Sequence, residues 1–389
     1  MKTLTRGSVF HILCNAAPIA VQDCETGSRA FIAVVLNNQH MPANLTADYR
    51  KAEEAFRQAR DPKDRLDCLK EMLRTIPKHK GTDHLQADIK SRIKDLTGDL
   101  AGPGKGAKRA GPIHSIRAEG AAQIAMIGPP NAGKSSLHAR LTGSKTDIGP
   151  YPLTTRQPIP GMLPFEDTHI QLIDLPPVSA DFMESWIVNA VQPADGALLV
   201  VDLSDPECVD QIPSIFQRLT EKKIFLKEQW PGFPPIGRLK PDHPNVVPPD
   251  DEFDPFHLEL PTLLTANKSD LDSGPDEVKI LEELLDLRFP AVACSAITGQ
   301  GCDEIGALLF KGLQIVRVYT KTPGKPFKRE KPFTVRAGQT ILDVAQLVHK
   351  DFAQGLRYAR VWGGDVFDGQ QVGPEHVVAD GDIVELHTK

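Results

Sequence analysis

The chain has 389 residues, a formal net charge of −6 at neutral pH and 40% hydrophobic side chains, a length and composition that allow two or three domains, each with its own core. No apolar run approaches the roughly 18 residues a bilayer-spanning helix needs, and the six cysteines, at 14, 24, 68, 208, 294 and 302, form no CxxC pair and have no metal-ligand spacing. These features argue against a membrane protein and a disulfide-built secreted scaffold, and the expectation is a reduced, cytoplasmic chain.

Residues 1–40 are an uncertain N-terminal extension. Lys2 and Arg6 before a short apolar stretch faintly resemble a signal peptide, but the better-patterned sequence begins at Met41. Residues 41–100 read as a helical arm. Thr46 is placed to cap a first helix carrying Tyr49, Ala52 and Phe56, and Asp61-Pro62 is a second start signal. Leu66, Leu69, Met72 and Leu73 make one apolar face, and Thr82 is placed to cap a third run with Leu85, Ile89, Ile93 and Leu96. Residues 101–118, containing "AGPGKGAKRAGP", form a basic flexible linker.

From 119 to 315 short apolar runs alternate with helical segments. "QIAMIG", "HIQLID", "GALLVVD", "PTLLTANK" and "AVACSA" predict buried strands of a mostly parallel sheet flanked by helices. The fold class expected is α/β, with a proline-rich insertion at about 226–258 that reads as a surface loop. Residues 316–389 form a separate small unit, in which "PFTVRAG", "YARVWG" and "DIVELH" alternate as strands and "TILDVAQLVHKDF" has helical spacing. His349, beside Lys350 near that helix's end, reads as a surface or capping histidine.

Charge is unevenly distributed. Residues 41–111 carry 16 basic and 11 acidic side chains, residues 112–312 carry 15 and 29, and residues 313–389 carry 11 and 9. An acidic centre between basic ends places any RNA contact at the ends.

The strongest motif is "GPPNAGKSS", Gly128 to Ser136, which matches G-x-x-x-x-G-K-[ST] between a predicted strand and a predicted helix. In such a P-loop the N–H groups around Gly128, Asn131, Ala132 and Gly133 curl about phosphates at a helix N-terminus. Lys134 is placed to reach the β- and γ-phosphates, and Ser135, followed by Ser136, to ligate Mg²⁺. "TANKSDLD" supplies Asn267, Lys268 and Asp270, the spacing of an N-K-x-D motif. A carboxylate at Asp270 can accept from guanine N1–H and the exocyclic amine, which adenine cannot reproduce, and that carboxylate is expected to be buried. Lys268 is expected to lie along the base, and an amide at Ser295 or Ala296, in "CSAITG", to meet guanine O6. Thr155, next to Thr154 in "YPLTTRQPIPGML", is the candidate switch threonine on the metal, and Asp174 the second metal contact through water. Lys134, Thr155 and Asp174 are therefore the candidate catalytic residues.

With these residues in place, the chain resembles the Obg/Drg group of translation-related GTPases, and most of all the developmentally regulated GTP-binding proteins. The resemblance runs from about Met41 to Lys389 and is carried by "MPANLTADYRKAEEAFRQAR", "EMLRTIPKHKGTDHLQADIKSRIKDL", "YPLTT" and "IVRVYTKTPGKP". The close, "LVHKDFAQGLRYARVWGGDVFDGQQVGPEHVVADGDIVELH", resembles a TGS domain, a small β-grasp unit. The resemblance implies a P-loop G domain, GTP and GDP as ligands, and a ribosome or rRNA partner reached through arm and TGS unit. It implies no membrane contact and leaves the oligomeric state unknown. Two departures matter. The family's larger inserted domain is represented only by the proline-rich loop, and Asn131 replaces a common serine. Asparagine there is similar to GTPases that hold K⁺ beside the phosphates.

"IDLPPV" departs again: Pro177 stands where D-x-x-G motifs carry glycine, and proline has no N–H to give a γ-phosphate. That contact is either lost or shifted to Val178, which also replaces any water-orienting glutamine. The expectation is guanine nucleotide binding with slow intrinsic hydrolysis. The alternatives are a non-hydrolysing GTP-binding scaffold and an RNA-binding adaptor.

Overall fold

The computed structural model describes residues 45–59, 61–78, 82–101, 116–144, 157–184, 186–235, 255–271, 275–327, 329, 331–364 and 366–388. Three helices come first: α1 (Ala47–Gln58), α2 (Pro62–Thr75) and α3 (Asp83–Ala101). Thr46 accepts the Tyr49 N–H at 3.2 Å and Asp61 the Lys63 N–H at 2.8 Å, caps that each contribute about 1 kcal/mol. Thr82, immediately before α3, is buried, donates to the Pro77 carbonyl at 2.6 Å and accepts from Gln86 Nε2 at 3.0 Å. The apolar faces meet in a core of Tyr49, Ala52, Phe56, Leu69, Met72, Ile76 and Ile89, closed by Phe256 from much later in the chain.

The central domain runs β1 (Gln123–Ile127), α4 (Lys134–Thr142), β2 (Ile159–Phe165), β3 (Thr168–Asp174), α5 (Ile187–Val191), β4 (Gly196–Asp202), α6 (Cys208–Thr220), β5 (Ile224–Lys227), β6 (Leu258–Asn267), α7 (Pro275–Leu285), β7 (Ala291–Ala293) and α8 (Cys302–Gly312). The sheet order is β2-β3-β1-β4-β6-β5, with β7 also paired to β6. Every pairing is parallel except β2 with β3. Apolar side chains cover both faces and form two cores, as a parallel sheet with helices on each side requires.

The five expected strands are present, and two more were not foreseen. β2 contains Pro160 and Pro164, which sequence patterning counts against a strand, yet it lies at the sheet edge, where proline is tolerated. β5 opens the proline-rich stretch. The ends of that stretch are core rather than surface loop. Trp230 is fully buried and donates to the Thr262 carbonyl at 3.0 Å, and Phe256 packs into the arm. Residues 236–254 lie outside the described residues, as do 1–44 and most of the linker, 102–115.

The last unit contains β8 (Ile315–Thr320), β9 (Phe333–Arg336), α9 (Ile341–Val348), α10 (Lys350–Gly355), β10 (Leu356–Trp362), β11 (Gln370–Val372) and β12 (Asp382–Thr388). Its sheet order is β11-β10-β12-β8-β9, with β12 parallel to β8 and the other pairs antiparallel. A Thr340–Asp343 capping box starts α9, and His349 caps α10 by accepting the Asp351 N–H at 3.2 Å. Ion pairs fasten this unit to the central domain. Arg317 joins Asp380 of its own unit to Glu166 and Asp167 in the β2–β3 turn, and Arg336 pairs with Asp195 at 3.1 Å. No helix among the described residues is long and apolar enough to cross a membrane.

Candidate nucleotide-binding site

Parallel strands bring their C-terminal ends to one edge of the sheet, and ligands of such folds bind there. At this edge β1 runs into the loop at 128–133, β3 ends at Asp174, β4 at Asp202 and β6 at Asn267. Met126 lies beside Asp174 and Asp202 beside Asn267 in register. Topology therefore gathers into one place motifs more than 100 residues apart.

Two glycines shape the loop. A Cβ on Gly128 would lie 2.2 Å from the Val200 carbonyl oxygen, so β1 can approach β4 this closely only with glycine there. Gly133, at φ 83°, begins α4, and a Cβ on it would lie 2.3 Å from Asn267 Nδ2. Asn131, exposed, and Lys268, half-buried, have the left-handed backbone, at φ 61° and 62°. Non-glycine residues held there mark functional loops more often than ordinary turns.

Asn267 is the hub of the base side. Its Nδ2 donates to the Ala132 carbonyl at 2.9 Å, and its Oδ1 accepts the Ala296 N–H at 3.1 Å and the Cys294 thiol at 3.9 Å. One buried carboxamide thus ties the P-loop to the ends of β6 and β7. Lys268 Nζ pairs with Asp202 at 2.5 Å. Asp202 was not among the predicted residues; its signal was a lone carboxylate ending the apolar run "GALLVVD".

Two details depart from the sequence reading. Asp270 is exposed in the turn after β6 rather than buried, because the chain folds no side chain over it; only a bound base would desolvate it. The Ser295 and Ala296 amides are already engaged, with the Gln300 carbonyl at 2.9 Å and with Asn267. Ser295 is fully buried, and its hydroxyl accepts the Thr298 N–H at 3.1 Å, which fixes the loop. Contact with guanine O6 through Ala296 N–H therefore means sharing a donor with Asn267.

On the phosphate side Lys134 is 6% exposed and donates to the carbonyls of Gly128 at 3.0 Å and Pro129 at 2.7 Å. Burial pulls its pKa down to about 8, against the attraction of Asp174. Ser135 Oγ donates to Asp174 Oδ2 at 2.6 Å, and Asp174 is fully buried. A hydroxyl and a carboxylate oxygen meeting beside the P-loop lysine are a donor set suited to a hard cation such as Mg²⁺. Ser136 follows, half-buried, on α4. His138, one turn further on, is fully buried, and burial holds its imidazole below the usual histidine value. It carried no recognisable signal in the sequence. Thr154 and Thr155 lie outside the described residues.

Pro176 and Pro177 are buried beneath this loop. The Val178 N–H donates to the Gly128 carbonyl at 3.1 Å, and its side chain is fully buried in the core. Of the two outcomes expected at Pro177, transfer of the lost donor to Val178 is therefore not available in this geometry.

Comparison with known proteins agrees with the motifs. A family model described as a 50S ribosome-binding GTPase matches residues 123–228, and a TGS domain model matches residues 316–388. An uncharacterized GTP-binding protein of Methanocaldococcus jannaschii is 26% identical over 387 residues, covering 89% of this chain and 95% of that one. Developmentally-regulated G-protein 1 of Arabidopsis thaliana is 26% identical over 362 residues, covering 82% and 89%. Among solved structures, a GTP binding protein from Pyrococcus horikoshii OT3 is 18% identical, covering 69% of this chain and 100% of that one, with a TM-score of 0.43. With P-loop and N-K-x-D segments closed into one site ahead of a TGS domain, the chain carries a GTPase G domain and a TGS domain and is similar over most of its length to Drg-type GTP-binding proteins.

Proposed function

We propose that this protein is a slow GTPase that acts in translation and binds GTP and GDP with nearly equal affinity. The observation that carries this reading is the Val178 N–H donating to the Gly128 carbonyl immediately after two prolines. Neither Pro176 nor Pro177 has an N–H, so three successive positions offer no amide to a γ-phosphate. A GTPase discriminates its nucleotides by contacts that only the γ-phosphate can make, and a valine cannot orient an attacking water.

In this reading Lys134 cradles the β- and γ-phosphates, Asp270 accepts from guanine and Lys268 leaves Asp202 to lie along the base. Ser135, Asp174 and Thr155 would hold Mg²⁺, which when bound would neutralise charge on the phosphate oxygens. Asn131, exposed and held in the left-handed conformation, is the candidate K⁺ contact. The basic arm and TGS unit are the contacts to a ribosome or rRNA in the cytoplasm. Single-turnover GTP hydrolysis, with and without ribosomal subunits and in K⁺ or Na⁺, tests the proposal. The expected outcome is a slow basal rate that ribosomes accelerate and Na⁺ lowers. A fast basal rate indifferent to ribosomes would overturn it, and an unmeasurable rate under every condition would favour a nucleotide-stabilised scaffold. That second reading rests on the same Pro177.

A further inference from the structure

The loop that completes the base side is closed by two thiols. Cys294 follows β7 and is fully buried, and Cys302 is the first residue of α8 and is 6% exposed. Residues 295–301 separate them, of which Ile297, Thr298 and Gln300 are exposed, so the pair lies beneath a solvent-facing loop. Gly301 makes the approach possible. At φ 70°, a Cβ on it would lie 2.1 Å from the Ala293 carbonyl oxygen and 3.2 Å from Cys294 Cα, so only glycine lets the start of α8 lie against the end of β7. The next residue, Cys302, donates its thiol to the Ser295 carbonyl at 3.5 Å.

The two thiols are not equivalent. Cys294 can donate to Asn267 Oδ1, 3.9 Å away, or to Cys302. Its side-chain hydrogen bond to Cys302, and then burial, push the Cys294 thiol up. The same bond draws Cys302 down against burial, and the Arg140 guanidinium acts with it. Arg140, on α4, donates from Nη2 to the Thr298 carbonyl at 3.1 Å and packs on Gly299. A place at a helix N-terminus favours a thiolate further. One sulfur is thus biased towards its nucleophilic form beside a second that keeps its proton, an asymmetry that core packing of two small residues does not require.

We propose that Cys302 and Cys294 are a reversible modification site, at which a hydroperoxide forms a disulfide that weakens guanine binding. The Cys302 thiolate attacks one oxygen of the peroxide, the O–O bond breaks, and a sulfenic acid forms while the other oxygen leaves, protonated, as water or an alcohol. The Cys294 sulfur then attacks the sulfenic sulfur. The S–S bond forms, the S–O bond breaks, and hydroxide leaves with the Cys294 proton as water. Two thiols lose two electrons and two protons, and the peroxide takes both. A dithiol reverses the step by exchange. The disulfide draws the Cys294 sulfur away from Asn267 and fixes the loop that carries the Ala296 N–H. Of the two donors that Asn267 Oδ1 accepts, only that N–H then remains, which leaves less of it for guanine O6. This consequence rests on the proposed guanine site, whereas the disulfide itself does not.

The test treats the full reduced chain with a few equivalents of hydrogen peroxide and caps the remaining thiols with N-ethylmaleimide in denaturant. Trypsin then releases residues 289–311 with both cysteines in one peptide. That peptide is expected to become lighter by two hydrogens and to stay uncapped before Cys68 and Cys208 react. GDP affinity is expected to fall about fivefold, the scale of one hydrogen bond, and dithiothreitol to restore both. Cys302→Ser should keep its GDP affinity under peroxide, and Cys294→Ala should stop at a Cys302 sulfenic acid that dimedone captures. The second variant decides the matter if the first fails to fold. A peptide still carrying two caps once Cys68 has reacted overturns the proposal, as does a disulfide that leaves GDP affinity unchanged. Reduced protein that binds no GDP would refute the guanine site alone, since the mass of the peptide still decides the disulfide.

Discussion

The two sides of the nucleotide pocket are built differently. On the base side the protein bonds to itself: Asn267 holds Ala132, Cys294 and Ala296 together, and Lys268 rests on Asp202. On the phosphate side a lysine is buried at a cost against backbone carbonyls, and the segment after Asp174 gives its first N–H beyond the prolines to Gly128. The base side is thus part of the folded framework, whereas the phosphate side holds a buried charge and offers no unengaged N–H from Pro176 to Val178. In the proposed function, guanine recognition and γ-phosphate sensing therefore rest on separate sets of bonds.

The sharpest way to break that comparison is Asn267→Ala. It strands the Ala132 carbonyl and Ala296 N–H in a buried junction, at about 1–3 kcal/mol for each group. The expected result is a loss of about 3 kcal/mol in denaturant-derived stability, together with loss of measurable GDP binding. Unchanged stability would show that the base side is not part of the framework.

Asp270→Asn separates binding from folding. The side chain is exposed, so stability should stay within about 0.5 kcal/mol. Guanine nucleotide affinity should fall by about 100-fold, the scale on which a site rejects a base that leaves its polar groups unmatched. Titration with a fluorescent GDP reads the second effect and a melting curve the first.

Lys134→Met probes the buried charge. The pKa of Lys134 is lowered in the folded state to about 8, so the unfolded chain binds more protons between that value and the ordinary lysine value. Stability contributed through this group therefore rises with pH across about 8 to 10.4. Without nucleotide, the variant should be more stable than wild type at pH 7 by about 3 kcal/mol, with the gap closing towards pH 10. A gap independent of pH would mean that the ammonium is not destabilised.

The smallest effect is expected at Pro177→Gly. Restoring an N–H should raise the GTP-to-GDP affinity ratio about tenfold, the worth of one hydrogen bond to a charged group. Added chain entropy should lower stability by up to about 1 kcal/mol. Unchanged relative affinities would show that the geometry around Gly128, rather than the missing donor, sets nucleotide preference.

Much of this was legible beforehand because the signals are local. G-x-x-x-x-G-K-S, N-K-x-D, the caps at Thr46 and Asp61 and the apolar period of the arm each depend on residues a few positions apart. Other features were hidden because they depend on distant neighbours. β2 reads as a proline-broken loop until β3 offers it a sheet edge. Trp230 and Phe256 look like part of a surface excursion until Thr262 and the arm bury them. The engagement of Val178 N–H with Gly128 joins residues 50 positions apart, which no pattern around "IDLPPV" could reveal.

By itself the sequence determined that this chain carries P-loop and N-K-x-D motifs between helical and β-rich ends, since such motifs depend on residue type and spacing. Only the tertiary structure decided which of those polar groups remain available. Hydrogen-bond capacity is finite, and each N–H and carbonyl is claimed by whichever partner the sheet brings within 3 Å or so. Asn267 claims the Ala296 amide and Gly128 claims that of Val178, and those two bonds set apart the two halves of the pocket.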